Sequence, residues 1–154
     1  MLLRELTDEE YSPMIQRIAE EMAAGFAAFQ ASNSDAMQAQ AHAHVKQIVD
    51  HARSSQTQCC LAIEVEGDTV GEVWYRLHDD ALLAHSAHIT WICIADAYQQ
   101  QGYAKQAMQL LEQQLAQEGI KQCLLEVFLS NQTALHLYQE MGYTPVRQVL
   151  HKFL

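Results

Sequence analysis

The stretch WICIADAYQQQGYAK, Trp91 to Lys105, sets the position of everything around it. Ile92 and Ile94 are β-branched apolar residues at alternate positions, which predicts a strand. A polar loop follows and closes on Gln99-Gln100-Gln101-Gly102-Tyr103-Ala104. A helix is predicted from there. Tyr103, Ala107, Leu111 and Leu115 recur every four residues, and Ala104, Met108 and Leu110 widen the stripe. Gln109, Glu112, Gln113 and Gln114 take the opposite face. A strand that turns through a glycine into a helix N-terminus aims several unbonded N–H groups one way, and the helix dipole adds partial positive charge. Such a turn binds anions, phosphate above all. Gly102 omits the Cβ that would hold a phosphate oxygen away, Ala104 is the next smallest choice, and Lys105 can add a charge to the rim. Taken alone, Gln-x-x-Gly-x-Ala also describes a glycine that merely opens a surface helix.

Outward from this turn the chain reads as alternating elements. Downstream, Gly119 stops the helix, and Gln122 to Leu129 predicts a buried strand. It should run parallel to the strand ending at Ile94, because a helix crosses between them. Ser130-Asn131 caps a further helix lined by Ala134, Leu137, Tyr138 and Met141 and stopped by Gly142. Tyr143 to Phe153 predicts one or two closing strands, interrupted at Pro145. Upstream, Leu2 to Leu6 predicts a short strand, and Thr7-Asp8-Glu9-Glu10 a capping-box helix start. Tyr11, Met14, Ile15, Ile18, Met22 and Phe26 give the first helix its stripe. A break at Ala31 to Asp35 separates it from a second helix carrying Ala36, Met37, Ala41, Val45, Ile48 and Val49. CCLAIEV, the turn Glu66-Gly67-Asp68 and TVGEVWYRL form a hairpin. A loop at His78-Asp79-Asp80 leads to the strand Ala84 to Ile94.

The 154 residues predict one domain, 1–154, with a sizeable core. No apolar run approaches the ~20 residues of a membrane span, and MLLRELTDEE lacks the apolar run of a signal peptide. Cys59, Cys60, Cys93 and Cys123 show no metal or redox spacing and read as small apolar residues in a reducing cytoplasm. His42 and His44 do not share a helix face, and His44 and His51 lie two turns apart, so they read as solvated and no metal is expected. A net charge of −10 reads first as a solubilising surface; it argues against nucleic acid and suits a cationic amine better than an anionic substrate.

Two patterns stand in order: Gln99-x-x-Gly102-x-Ala104 between strand and helix, and Asn131-x-x-Ala134-x-x-x-Tyr138-x-x-x-Gly142-Tyr143 after the next strand. From about Ala84 to Tyr143 the chain resembles the GNAT family of acyl-coenzyme-A-dependent N-acetyltransferases. The first pattern matches the family's (Arg or Gln)-x-x-Gly-x-(Gly or Ala) motif. Gln99 stands where arginine is commoner, which removes a fixed charge and leaves backbone binding in place. The resemblance implies an α/β (α+β) GNAT fold: a mixed central sheet of six to seven strands, about four helices, and splayed central parallel strands.

It also implies roles. Main-chain groups of Ile92, Cys93 and Ile94 would meet the acetyl carbonyl and the pantetheine arm. Gln99, Gln100, Gln101, Gly102, Tyr103, Ala104 and Lys105 would hold the pyrophosphate of acetyl-CoA, the cosubstrate. Asn131 would bond the pantetheine or its loop, and Tyr138 would aim its hydroxyl at the thioester sulfur as general acid. Read singly, Asn131 is a helix N-cap and Tyr138 a core aromatic. For the general base, the residues offer Glu72 on the returning hairpin strand and His88, which by strand parity would share a face with Ile92 and Ile94. The His-x-His pair that some aralkylamine acetyltransferases carry here is incomplete, with Thr90 at its second position. The implied activity is transfer of acetyl to a primary amine of a small molecule. The alternatives are a protein N-terminal or lysine acetyltransferase and a non-catalytic acyl-CoA-binding module. A homodimer through the sheet edge or the C-terminal strand is compatible with this pattern.

Overall fold

A computed structural model describes residues 1–30, 35–78, 83–150 and 152. The elements run β1 (Leu2–Glu5), α1 (Asp8–Gln30), α2 (Asp35–Arg53), β2 (Gln58–Val65), β3 (Asp68–Leu77), β4 (Ser86–Ile94), a 3₁₀ turn (Asp96–Tyr98), α3 (Tyr103–Gln117), β5 (Gln122–Leu125) and α4 (Gln132–Glu140). One mixed sheet has the order β1-β2-β3-β4-β5. Its first three pairs are antiparallel, and β4 with β5 is parallel, as a helical crossover requires. The hairpin between β2 and β3 turns at Glu66 and Gly67, both at positive φ (55° and 94°), the geometry that matches strand twist.

Both sheet faces are covered. Met14, Ile15, Ile18, Ala19 and Ala23 of α1 and Ala41, Val45, Val49 and Ala52 of α2 pack with Cys60 and Trp74 on one face. Met108, Leu111 and Leu115 of α3 pack with Val73, Tyr75, Ala87 and Ile89 on the other. The helical stripes predict these contacts, because α1, α2 and α3 each bury one side only. At the start of α1 the Glu10 carboxylate accepts from Thr7 N–H (2.8 Å), which closes half of the capping box. Arg4 of β1 forks onto Glu10 (2.8 Å) and also bonds Glu64 of β2 (2.8 Å), pinning α1 to the sheet edge.

The described sheet has five strands, not six to seven. β5 stops at Leu125 and not Leu129, and residues 143–150 carry no strand. Val146, Val149 and Leu150 stand largely in solvent (84 %, 77 % and 82 % exposed), so no apolar face stabilises a closing pair. The predicted break at 31–34 and the loop at 79–80 lie outside the described residues, as do 151, 153 and 154 of the predicted closing strands.

Candidate active site

The site is built where β4 parts from β5. Their pairing runs from Ser86↔Gln122 to Ile89↔Leu125 and stops. At the same point β4 bulges against β3: Trp91 faces Trp74, Ile89 faces Tyr75, and Thr90 is left over. The extra residue bends the strand and reverses its side-chain alternation. Trp91 to Ile94 therefore continue along β3 with no partner on the β5 side, and their main-chain groups on that side open into the gap. This is the splay expected for Ile92, Cys93 and Ile94. Gly71 of β3 lies against the end of this stretch. A Cβ there would come within 2.2 Å of the Cys93 carbonyl oxygen, so only glycine permits this approach.

The bulge corrects the parity predicted for His88. His88 pairs across from Arg76, on the face of Trp91 and Cys93, while Ile92 and Ile94 pack toward α3. His88 also precedes the gap, still beside Leu124 of β5. Its Nδ1 lies 3.3 Å from Arg76 Nη2, and burial, then the Arg76 charge, push its pKa down. Neutral imidazole is favoured there, but the ring stands outside the cleft. Glu72, 3 % exposed, is already engaged: Arg17 Nε and Nη2 donate to its two oxygens (2.8 and 2.6 Å), and Trp91 Nε1 donates to Oε1 (3.3 Å). Three donors leave little of that carboxylate for a substrate proton.

Beyond Ile94 the chain turns through Ala95 and the 3₁₀ segment. Gln99 Nε2 donates to Ile94 O (3.0 Å) and Asp96 Oδ1 (2.9 Å), so this side chain braces the loop and does not project from it. Gln100 (φ 59°) and Gly102 (φ 79°) both adopt left-handed backbone. Gly102 caps α3 with no side-chain bond, and the first intrahelical bond runs from Gln106 N to Gly102 O (3.1 Å). The N–H groups of Tyr103, Ala104 and Lys105 are thus unspent. A Cβ on Gly102 would meet nothing nearer than Gln106 Nε2 at 3.8 Å, so the space over the turn is open for a diphosphate. Lys105 is not a free rim charge: its Nζ bonds Glu140 Oε2 (3.0 Å) and ties α3 to α4.

Asn131 performs the local role of its residue type: its Oδ1 accepts from Ala134 N (3.1 Å) and caps α4. Tyr138, in the next turns of α4, is half-buried against the α3 core and 5.7 Å from the Tyr143 ring. No described group hydrogen-bonds its hydroxyl, and burial, then the Glu21 charge, raise its pKa. A phenol so placed holds its proton at neutral pH.

On the α1 side of β4 lies a cleft of about 470 Å³ lined by Arg17, Glu20, Glu21, Trp91, Cys93, Ala95, Asp96 and Gln99. Burial, then the Glu72 charge, push the Cys93 thiol up to about 11, so it is neither thiolate nor nucleophile at neutral pH. Arg17 and Glu21 escape sequence reasoning. The only available signal is their spacing of one helical turn beside the apolar stripe of α1. Among the described residues, no group of three or more His, Cys, Asp or Glu side chains is placed to hold a metal, and no helix is long and apolar enough to cross a membrane.

The family model for the acetyltransferase (GNAT) family matches residues 15–143. A protein described as the uncharacterized N-acetyltransferase YycN of Bacillus subtilis (strain 168) is 35 % identical over 89 residues, 58 % of this chain and 56 % of that protein. The chain spans about half the length of the curated relatives it matches. Among solved structures, YycN of Bacillus subtilis superposes with a TM-score of 0.87 at 23 % identity, covering 99 % of this chain and 98 % of that one. The PaiA N-acetyltransferase of Thermoplasma acidophilum, solved in complex with coenzyme A, superposes with a TM-score of 0.70 at 15 % identity, over 93 % and 89 % of the two chains.

Proposed function

The chain belongs to the acetyltransferase (GNAT) family, and on that premise we propose that it transfers acetyl from acetyl-CoA to the primary amine of a small cationic molecule. The observation that carries this proposal is a coincidence in space. β4 loses β5 at Thr90, and the same strand runs on into a helix N-terminus with three unspent N–H groups and an open turn. An extended pantetheine arm needs main-chain partners along its length, and a diphosphate needs the donors at its end. The thioester would lie along Trp91 to Ile94, where a freed main-chain N–H can meet the oxyanion of the tetrahedral intermediate. PaiA, which shares the fold, was solved with coenzyme A.

Acetyl-CoA supplies an activated acyl group; the residues of this chain supply position and protons. Tyr138, neutral and with no partner for its hydroxyl among the described residues, is suited to protonate the departing thiolate. The cleft across β4 presents Glu20, Glu21 and Asp96 against Arg17, an excess of negative charge that favours a cation over an anion. The cleft, about 470 Å³ and open to solvent, admits a small amine.

The test is thiol release followed with DTNB, using acetyl-CoA with small alkylamines, diamines and amino-terminal and lysine peptides. Turnover with a small amine, falling in kcat/KM as salt is added, is the expected result. Turnover confined to peptides would favour protein acetylation. Coenzyme A binding without turnover on any amine would make the chain an acyl-CoA-binding module.

A further inference from the structure

We propose that Glu21 of α1 is the general base that takes the proton from the acceptor amine; the proposal rests on the acetyl-transfer function above. Glu21 lines the same cleft as Trp91 and Cys93, on the stretch of β4 that has lost β5. The carboxylates there are not equivalent. Glu72 is held by both arms of Arg17 and by Trp91. Glu20 accepts from Gln16 Nε2 (2.5 Å), and Asp96 accepts from Gln99 Nε2 (2.9 Å). Glu21 has no hydrogen-bond or ion-pair partner among the described residues.

Its charge reaches both halves of the site. The Glu21 charge is felt by Cys93 on β4 and by Tyr138 on α4, the residue assigned to the leaving thiolate. One turn further along α1, Gly25 lies against the Phe128 ring, which follows β5: a Cβ at Gly25 would fall 2.6 Å from that ring. The missing side chain lets the segment after β5 close down on α1 one turn from Glu21. Glu21 stands exposed at the rim of the cleft, and partial desolvation there raises its pKa, which increases its affinity for a proton. The titratable and charged groups that line the cleft with it are Arg17, Glu20, Cys93 and Asp96, and Tyr138 of α4 feels its charge.

The Glu21 carboxylate takes one proton from the alkylammonium. The freed nitrogen lone pair attacks the thioester carbonyl carbon and forms the C–N bond. The tetrahedral intermediate collapses, the C–S bond breaks with its electron pair going to sulfur, and the Tyr138 hydroxyl protonates the thiolate. The proton left on nitrogen returns to the tyrosinate through solvent, and Glu21 releases its proton to water. The products are the amide, free thiol and one proton.

The experiment compares two acceptors in the wild-type protein and in Glu21→Gln: the alkylamine of the panel turned over fastest, and hydroxylamine, whose nitrogen is already unprotonated at neutral pH. Glu21→Gln should lose about 10²-fold or more in kcat/KM with the alkylamine. Its rate should then climb with pH toward the alkylamine's own pKa, while hydroxylamine turnover and coenzyme A affinity stay within a few-fold of wild type. Glu21→Asp should recover part of the loss. Equal losses with both acceptors, or no loss with either, would overturn the role of Glu21 and leave acetyl transfer standing. Absence of thiol release by the wild-type protein with every acceptor would overturn both. Circular dichroism and coenzyme A binding by Glu21→Gln exclude misfolding as the cause of a loss.

Discussion

Gly102→Val separates the anion-binding turn from the fold that carries it. Gly102 sits at φ 79°, and a Cβ there meets only Gln106 Nε2 at 3.8 Å. The added Cβ therefore meets no collision, and the cost at this position is the left-handed backbone. For an L-residue that is about 1–2 kcal/mol, more for a branched side chain. In a chain of this size about 1–2 kcal/mol lowers Tm by roughly 2–8 °C. Gly119, at φ 88° and with nothing within 4 Å of an added Cβ, ends the same helix at its far side and is the matched control. Gly119→Val should show a comparable fall in Tm. Only Gly102→Val places a branched side chain over the N–H groups of Tyr103, Ala104 and Lys105. Each bond from such an N–H to a charged phosphate oxygen is worth about 1.5–3 kcal/mol, so loss of even one weakens coenzyme A about 10- to 100-fold. Calorimetry with coenzyme A on both folded variants measures the difference. Equal affinities in the two variants would show that the diphosphate is not held at this turn.

Three further outcomes are expected. Tyr138→Phe keeps the ring packed beside Tyr143 and removes only the hydroxyl; kcat should fall about 10²–10⁴-fold with coenzyme A affinity nearly unchanged, and a kcat near wild type would assign thiolate protonation to water. Arg4, then the Thr7 and Thr69 donors, hold the Glu10 carboxyl well below its ordinary value of 4.5. Its folded pKa is depressed, so its contribution to stability is full above the ordinary value and is lost as the pH falls below it; Tm measured from about pH 5 down to about pH 3 should therefore drop less in Glu10→Gln than in wild type. Gly25→Ala forces the half-exposed Phe128 ring outward. The gain in helix propensity, up to ~1 kcal/mol, offsets part of the strain, so acceptor KM should change while Tm moves by only a few degrees; unchanged acceptor kinetics would detach Phe128 from the cleft.

What the sequence determined by itself is what depends on neighbours along the chain. The stripes of α1, α2 and α3, the Glu66-Gly67 turn, the half capping box at Thr7 and Glu10, the Asn131 cap and the strand–Gly102–helix turn are local. Each was readable because periodicity, caps and left-handed glycines act within a few residues. The paired patterns from Gln99 to Tyr143 pointed to the family for the same reason. The tertiary structure decided the rest. A single extra residue at Thr90 reversed the strand parity that placed His88 with Ile92 and Ile94, and nothing in the alternation of apolar residues marks it. Whether Glu72 was a free base depended on Arg17, 55 residues away in sequence, which holds both of its oxygens. Lys105 looked like a phosphate ligand until α4 brought Glu140 to it. The closing strands after Tyr143 had suitable residues, but Val146, Val149 and Leu150 find no apolar face to pack on. Glu21 stands out only once its neighbours are known. A carboxylate's chemistry is set by which donors reach it, and those donors come from elements that sequence proximity does not connect.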